Sequence, residues 1–125
     1  MPFELPDNLH PNCGPVAWLL GTWRGNGHGS YPTIESFQFG QELIFQQDGR
    51  PFIHYMSRSW IVDDEGNHVR EAAQETGFIR SQGDGTLEFL MTHNTGFVET
   101  WHGEIHPEQP RFEMSTDAVV RTATA

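Results

Sequence analysis

Three histidines are the candidates for an imidazole that could ligate a metal in a bound molecule. His28 lies within a glycine-rich string, which predicts either a ring that reaches a ligand or a solvated turn residue. His54 alternates with Phe52 and Met56, so the period of two predicts that it faces inward, as a hydrogen-bonded core residue. His93 closes an apolar stretch just before a turn, and we expect an exposed side chain there.

The remaining reactive side chains give weaker signals. His102 and His106 are four apart, a spacing that would pair two metal ligands on a helix. Gly103 and Pro107 indicate a strand that runs into a loop instead, and at about 3.3 Å per residue the two rings would lie too far apart to share one ion. Cys13 is the single cysteine and is predicted to be a bystander thiol. The residues themselves therefore assign no catalytic side chain and no metal ligand.

These side chains must be positioned by strands, because a period of two dominates the chain. One turn of helix is predicted from Pro15 to Leu20, with Gly21 as its stop. Gly77 is predicted to mark a bulge or a close backbone approach. Short turn signals separate about seven predicted strands, which favours an all-β antiparallel meander, either a sandwich or an up-and-down barrel. The strands begin near Thr22 and continue over Phe37–Phe45, Phe52–Val62, His68–Arg80, Thr86–His93, Phe97–Ile105 and Arg111–Thr122.

Composition narrows the class of partner. The 125 residues form one domain in this interpretation, with 36% hydrophobic residues and a formal net charge of −10. Such a charge repels phosphate backbones and anionic lipid, so we expect no nucleic-acid partner and no membrane partner. The N-terminus lacks the pattern of a signal peptide, and the lone cysteine fits a reducing compartment, so a cytoplasmic location is expected.

A string of glycines spaced two apart is the most unusual local feature. Gly21, Gly25, Gly27 and Gly29 would leave one face of a strand bare, with Trp23 among them. A bare face admits another backbone or a flat ligand at close range. We expect Trp23 to plug the closed end of a barrel and to be largely buried. The alternative is a glycine-rich connector with no role in binding.

This string resembles the signature of the nitrobindin family. Residues 21–27 fit its G-x-W-x-G-x-G motif, and the similarity continues through Tyr31–Ile34 and Phe37–Phe39. Further on, "ETGFIR" at 75–80 and "HNTGFVE" at 93–99 look like the middle strands of that family. The resemblance covers nearly the whole chain from Val16 onward.

The resemblance implies a fold, a cofactor and a reaction. Nitrobindins are antiparallel up-and-down β-barrels of the calycin and lipocalin type, related in shape to fatty-acid-binding proteins. They hold haem b in the ferric state near the barrel mouth, bind nitric oxide and isomerise peroxynitrite to nitrate. Thr33 matches a position near the haem and is carried over as a cofactor contact; as a strand-start residue after Pro32 it would have no such role.

The chain departs from the family pattern at its end. The axial haem histidine of the family lies in C-terminal strands that would follow Ala125, so we expect residues 1–125 to form a barrel that is short relative to the family. Two functions follow as expectations. One is a haem-binding peroxynitrite isomerase, and the other is a barrel without the axial histidine that carries an apolar small molecule and has no enzymatic activity. A third expectation is that the unpaired last strand pairs with another chain, for example in a homodimer.

Overall fold

The computed structural model describes residues 7–31 and 34–125 as a 3₁₀ helix followed by one seven-stranded antiparallel sheet. The strands pair in chain order, each with its sequence neighbours, so the predicted meander is confirmed. The helix spans Pro11–Leu19. The strands are β1 (Gly21–Tyr31), β2 (Ile34–Gln46), β3 (Phe52–Val62), β4 (His68–Ser81), β5 (Thr86–His93), β6 (Phe97–Ile105) and β7 (Phe112–Arg121).

The helix begins four residues before its predicted start. The Nδ1 atom of His10 accepts a hydrogen bond from the backbone N–H of Asn12 at 3.1 Å and so caps the first turn. Histidine is outside the usual set of N-cap residues, which is why the sequence did not indicate this start. The predicted stop is confirmed, because β1 starts at Gly21 with φ of +122°.

One face of the sheet packs against the 3₁₀ helix, and we call it the inner face. Its core consists of side chains that are at most 9% exposed. From the helix these are Cys13, Val16 and Leu19, and from the strands Phe45, Ile53, Tyr55, Ile79, Leu87, Phe89 and Ile105. The strand members alternate with outward residues, as expected for a sheet that is buried on one side.

Gly77 confirms the prediction of a close backbone approach. A Cβ atom at this position would overlap the carbonyl oxygen of Leu90 on β5. Gly103 on β6 has the same relation to the carbonyl of Glu113 on β7. Both glycines lie in the inner-face register, so they let neighbouring strands come closer together there than residues with a side chain would allow.

The sheet is not closed within the described residues. Among them β1 pairs only with β2, and β7 pairs only with β6. The expectation of an all-β antiparallel barrel wall is therefore confirmed, and its seven described strands leave it open. The edge of β7 carries Val119 and Val120, which are 54% and 64% exposed.

Candidate ligand-binding face

The glycine string turns its bare side toward the inner face, where two phenyl rings cover part of it. Gly27 is opposite Phe39 and Gly29 is opposite Phe37 in the β1–β2 register. A Cβ atom at Gly27 would lie 2.6 Å from the Cζ atom of Phe39, and one at Gly29 would overlap the ring of Phe37. Nothing lies within 4 Å of a Cβ atom built on Gly25. The missing side chains therefore make room for two aromatic rings, which form an apolar wall.

Trp23 is half exposed, so the prediction that it is a largely buried plug is wrong. Its residue exposure is 46%, and within the described residues β1 is an edge strand with no neighbour beyond it. The indole still has a defined partner, because Nε1 donates a hydrogen bond to the carbonyl of Leu19 at 2.7 Å. Trp23 thus ties the edge strand to the last turn of the helix.

Polar side chains replace aliphatic ones further along the inner face. Gln41 on β2 lies in the inward register and donates from Nε2 to Ser57 Oγ at 3.2 Å. The hydroxyl of Tyr55 donates to Glu75 Oε2 at 3.0 Å. Burial raises the pKa of Tyr55 to about 12, so its phenol stays protonated and remains a donor at neutral pH.

His93 lies in the middle of this polar row and not at the exposed position that we expected. Its side chain is 22% exposed and is flanked by carboxylates from both neighbouring strands. Nε2 lies 3.1 Å from Glu99 Oε2, and Nδ1 lies 3.5 Å from Glu75 Oε1. Trp101 Nε1 donates to the same Glu99 oxygen at 3.3 Å. The expectation failed because the turn position of His93 gave no information on its cross-strand neighbours.

His54 faces outward, so the prediction of an inward core histidine is wrong. Its ring stacks on Phe78 with centroids 5.1 Å apart, and Nε2 lies 3.1 Å from Thr76 Oγ1. The prediction that His54 shares a face with Phe52 and Met56 is correct, but that face is the outer one. Alternation fixes which residues lie together and leaves open which side of the sheet they occupy.

The other histidines also lie off the inner face. His28 is exposed and pairs with Gln38 in the outward register of β1. His102 is exposed in the outward register of β6, and His106 Nδ1 accepts backbone N–H groups in the β6–β7 turn. Within residues 7–31 and 34–125, no three His, Cys, Asp or Glu side chains are grouped so that they could hold a metal ion.

Thr33, the cofactor contact implied by the family resemblance, lies outside the described residues. Cys13 is fully buried in the core beneath the sheet, and burial raises the pKa of its thiol. A protonated buried thiol is a poor nucleophile, so the geometry gives Cys13 a packing role.

A buried carboxylate anchors the outer face of the first three strands. Glu42 is 7% exposed and lies between Arg24 at 2.6 Å and Arg58 at 3.4 Å. Hydrogen bonding from Arg24, more than that from Arg58, holds the pKa of Glu42 below its ordinary value although burial opposes the shift. The two arginines differ in exposure, since the Arg24 side chain is 72% exposed and that of Arg58 is 49% exposed.

The fold and the inner face together define an antiparallel barrel wall with an aromatic and polar inner side. The sequence profile of the THAP4-like, heme-binding beta-barrel domain matches residues 12–125. A protein named peroxynitrite isomerase from a Nocardioides species is 66% identical over 125 residues, which cover 100% of this chain and 75% of that protein. The chain therefore belongs to the nitrobindin family.

Two further relatives agree with this assignment. A ferric nitrobindin-like protein from Streptomyces griseus is 43% identical over 122 residues, covering 98% of this chain and 64% of its own length. The crystal structure of Rv2717c from M. tuberculosis superposes with a TM-score of 0.74 at 28% identity, covering 98% of this chain and 74% of that one. The chain thus spans 64–75% of these relatives. Among the described residues, no helix is long and apolar enough to cross a membrane.

Proposed function

We propose that the chain forms the greater part of a haem-binding nitrobindin barrel, as one domain over residues 1–125, and that haem b lies against its inner face. The observation that supports this most directly is the aromatic wall of Phe37 and Phe39 on the glycine side of β1. A flat macrocycle requires flat apolar walls, and the glycines of β1 leave room for the two phenyl rings to form one. Family membership supplies the identity of the macrocycle.

The described residues fit the walls of a haem pocket. Several strands carry inward apolar side chains that are only partly buried and could contact a macrocycle. They are Phe39 and Leu43 on β2, Met91 on β5, Trp101 on β6 and Met114 on β7. Thr33, at the β1–β2 connection, is proposed as a further contact on the strength of the family resemblance. When bound, haem would supply an iron centre that binds nitric oxide and converts peroxynitrite to nitrate.

The same residues do not fit the axial position. All seven histidines of the chain lie in the described ranges, and six of them are at the helix cap, on the outer face or in a turn. His93 faces inward, but each of its ring nitrogens already lies beside a carboxylate. We infer that these histidines leave the iron without a protein nitrogen ligand, and that the chain alone provides walls without the axial ligand.

A hemin titration with and without free imidazole tests both parts of this proposal. Induced circular dichroism in the Soret region is the readout, because it arises only when hemin lies in the asymmetric environment of the protein. We expect a weak signal with hemin alone and a strong, saturable signal when imidazole supplies the missing ligand. Lack of any signal with imidazole would exclude the haem wall. A strong stoichiometric signal without imidazole would show that one of the chain's histidines ligates iron.

Alanine variants then separate the histidines. His93→Ala tests the inner face, His54→Ala tests the outer face, and His28→Ala tests the glycine strand. We expect all three to match the wild type in the imidazole-free titration. Loss of a strong signal in one variant alone would identify that residue as the ligand. The isomerase activity is tested with the imidazole-loaded protein, by the yield of nitrate from peroxynitrite relative to hemin and imidazole alone.

A carrier of an apolar small molecule is the competing function, and the inner face disfavours it. The row from Gln41 through Ser57 to Glu75 would bring polar atoms against an aliphatic tail. A fluorescent fatty acid that binds more tightly than hemin plus imidazole would reverse this choice.

Two properties of the whole protein complete the proposal. We place it in the cytoplasm, in agreement with its single buried cysteine. We also propose that the chain forms a homodimer through the exposed edge of β7. Within the described residues β7 pairs only with β6 and carries two half-exposed valines, which favours strand addition. Size-exclusion chromatography of the wild type beside Val120→Lys tests this proposal. A monomer at all concentrations would contradict it.

A further inference from the structure

We propose that Glu75, His93 and Glu99 form a proton-dependent bridge that links β4, β5 and β6 across the inner face. The three residues come from three adjacent strands. Their contacts run in one line, from Glu75 Oε1 to His93 Nδ1 at 3.5 Å and from His93 Nε2 to Glu99 Oε2 at 3.1 Å. This proposal goes beyond haem binding and concerns the chain in the absence of any ligand.

The protonation state of the ring decides how many of these contacts are hydrogen bonds. A carboxylate only accepts, so each contact needs a proton on the facing ring nitrogen. The imidazolium form carries protons on both nitrogens, so it can donate a hydrogen bond to Glu99 and form an ion pair with Glu75 at the same time. Neutral imidazole carries one proton and can donate to one of them. The complete bridge therefore requires protonated His93.

The surroundings of His93 leave the ring as the switching group. On the β4 side, Glu75 also accepts from Tyr55 of β3, whose phenol stays protonated because its pKa is raised to about 12. On the β6 side, Glu99 also accepts from Trp101, which does not titrate. On β7 the residue opposite Glu99 is Val119, and Arg121 follows opposite Phe97. His93 is therefore the member of this group whose ring can carry either one or two protons.

Loss of the proton has two consequences for the inner face. One carboxylate loses the proton that faced it from His93, and the charge of the bridge becomes one unit more negative. The contact between His93 and Glu75, at 3.5 Å, is longer and therefore weaker than the contact between His93 and Glu99, at 3.1 Å. We therefore expect the β4–β5 side to open first as the pH rises. The protonation state of the bridge would therefore set how strongly β4, β5 and β6 are held together by the polar side chains of the inner face.

The indole N–H of Trp101 is a natural probe for the bridge, because it donates to the Glu99 oxygen that also faces His93. Its ¹H–¹⁵N signal, assigned with Trp101→Phe, is followed from pH 5 to pH 9 in the ligand-free protein. We expect the signal to titrate with one midpoint. Carbon-13 signals of the His93 ring should share that midpoint.

Two variants make the test decisive. His93→Gln keeps a side-chain amide donor but cannot titrate, so the Trp101 signal should lose its pH dependence. His102→Gln changes an exposed histidine beside Trp101 on the opposite face, and the titration should persist. A Trp101 signal that is flat in the wild type, or that still titrates in His93→Gln, would overturn the proposal. If His93→Gln does not fold, different midpoints for the His93 ring and Trp101 in the wild type would overturn it equally. Because hemin takes no part, failure here is distinguishable from failure of haem binding.

Discussion

The two ends of the inner face are built from the same strands but carry different chemistry. At the helix end, Ile53 is fully buried, and Ile79 and Leu87 are 1% exposed. At the end near the β5–β6 turn, the inward side chains of Glu75, His93 and Glu99 are 22–25% exposed. The 3₁₀ helix covers the first end and excludes water there. The second end has no such cover within the described residues, so ionisable groups can be tolerated there if they are paired.

This contrast assigns stability to one end and ligand chemistry to the other. Apolar burial is the main source of folding free energy, and the buried cluster lies at the helix end. The ligand chemistry lies further along the sheet, in the glycine string, the two phenyl rings and the polar row that contains His93. Variants at the two ends should therefore differ in kind, because the first group changes unfolding and the second changes binding or titration.

The largest stability effect is expected at the helix end, for Ile53→Ala. Deletion of a fully buried aliphatic side chain leaves a cavity and should cost about 2–5 kcal/mol of unfolding free energy. Val69→Ala, at a residue that is 58% exposed, is the matched control and should stay within about 0.5 kcal/mol. Urea denaturation of both variants measures the difference. A similar loss in both would show that the helix end is not the core.

A comparison of three glycines should give the next largest effect. Gly77→Ala drives a methyl group into the Leu90 carbonyl, and backbone cannot move as freely as a side chain, so a loss of about 1–3 kcal/mol is expected. Gly27→Ala meets the end of the Phe39 ring, which can rotate, and should lose less. Gly25→Ala meets nothing within 4 Å and serves as the control. Denaturant midpoints in any other order would contradict the register of the inner face.

Trp23 should contribute less than a core aromatic. Because it is 46% exposed and makes one hydrogen bond, Trp23→Ala should cost about 1–2 kcal/mol. Trp23→Phe keeps most of the apolar contact and removes the donor to Leu19, so the difference between the two variants isolates the ring. Thermal or urea unfolding provides the measurement. A cost above about 3 kcal/mol for the alanine variant would restore the interpretation of Trp23 as a buried plug.

The smallest effect concerns pH and the Arg24–Glu42–Arg58 cluster. Since the folded-state pKa of Glu42 is lowered, its stabilisation is present above the ordinary carboxyl pKa and is lost as the pH falls through the folded value. Wild type and Glu42→Gln should therefore differ most near neutral pH and converge in acid. Unfolding midpoints from pH 7 to pH 3 test this. A gap that widens on acidification would give the opposite sign and contradict the ion cluster.

Sequence patterns predicted the strands well because alternation and turn residues act locally. The bounds of β3, β5 and β6 were predicted to the residue, and Gly77 was singled out correctly. The errors concern relations between strands. His54 was placed on the wrong face because alternation does not show which face of a strand is buried. The exposure of Trp23 was predicted wrongly because it depends on whether a neighbouring strand covers it.

The polar row shows the same limit more clearly. Glu75 and Glu99 were quoted only as parts of family-like stretches, although both hold His93. Their meeting follows from the β4–β5–β6 register, which pairs Glu75 with His93 and Met91 with Glu99. A single sequence does not contain that register. Alternation groups the residues of one strand by face, but it does not show which residues of neighbouring strands lie opposite each other.

The central claim is that a flat ligand lies on the inner face, and the methionine methyl groups test it most directly. Met91 and Met114 face inward, whereas Met56 faces outward in the register of β3. Gallium protoporphyrin IX is a diamagnetic analogue of haem whose ring current shifts nearby methyl signals. Titration into protein labelled at the methionine methyl carbons should shift the signals of Met91 or Met114 and leave that of Met56 unchanged. A shift of Met56 alone would place the macrocycle on the outer face and contradict the account.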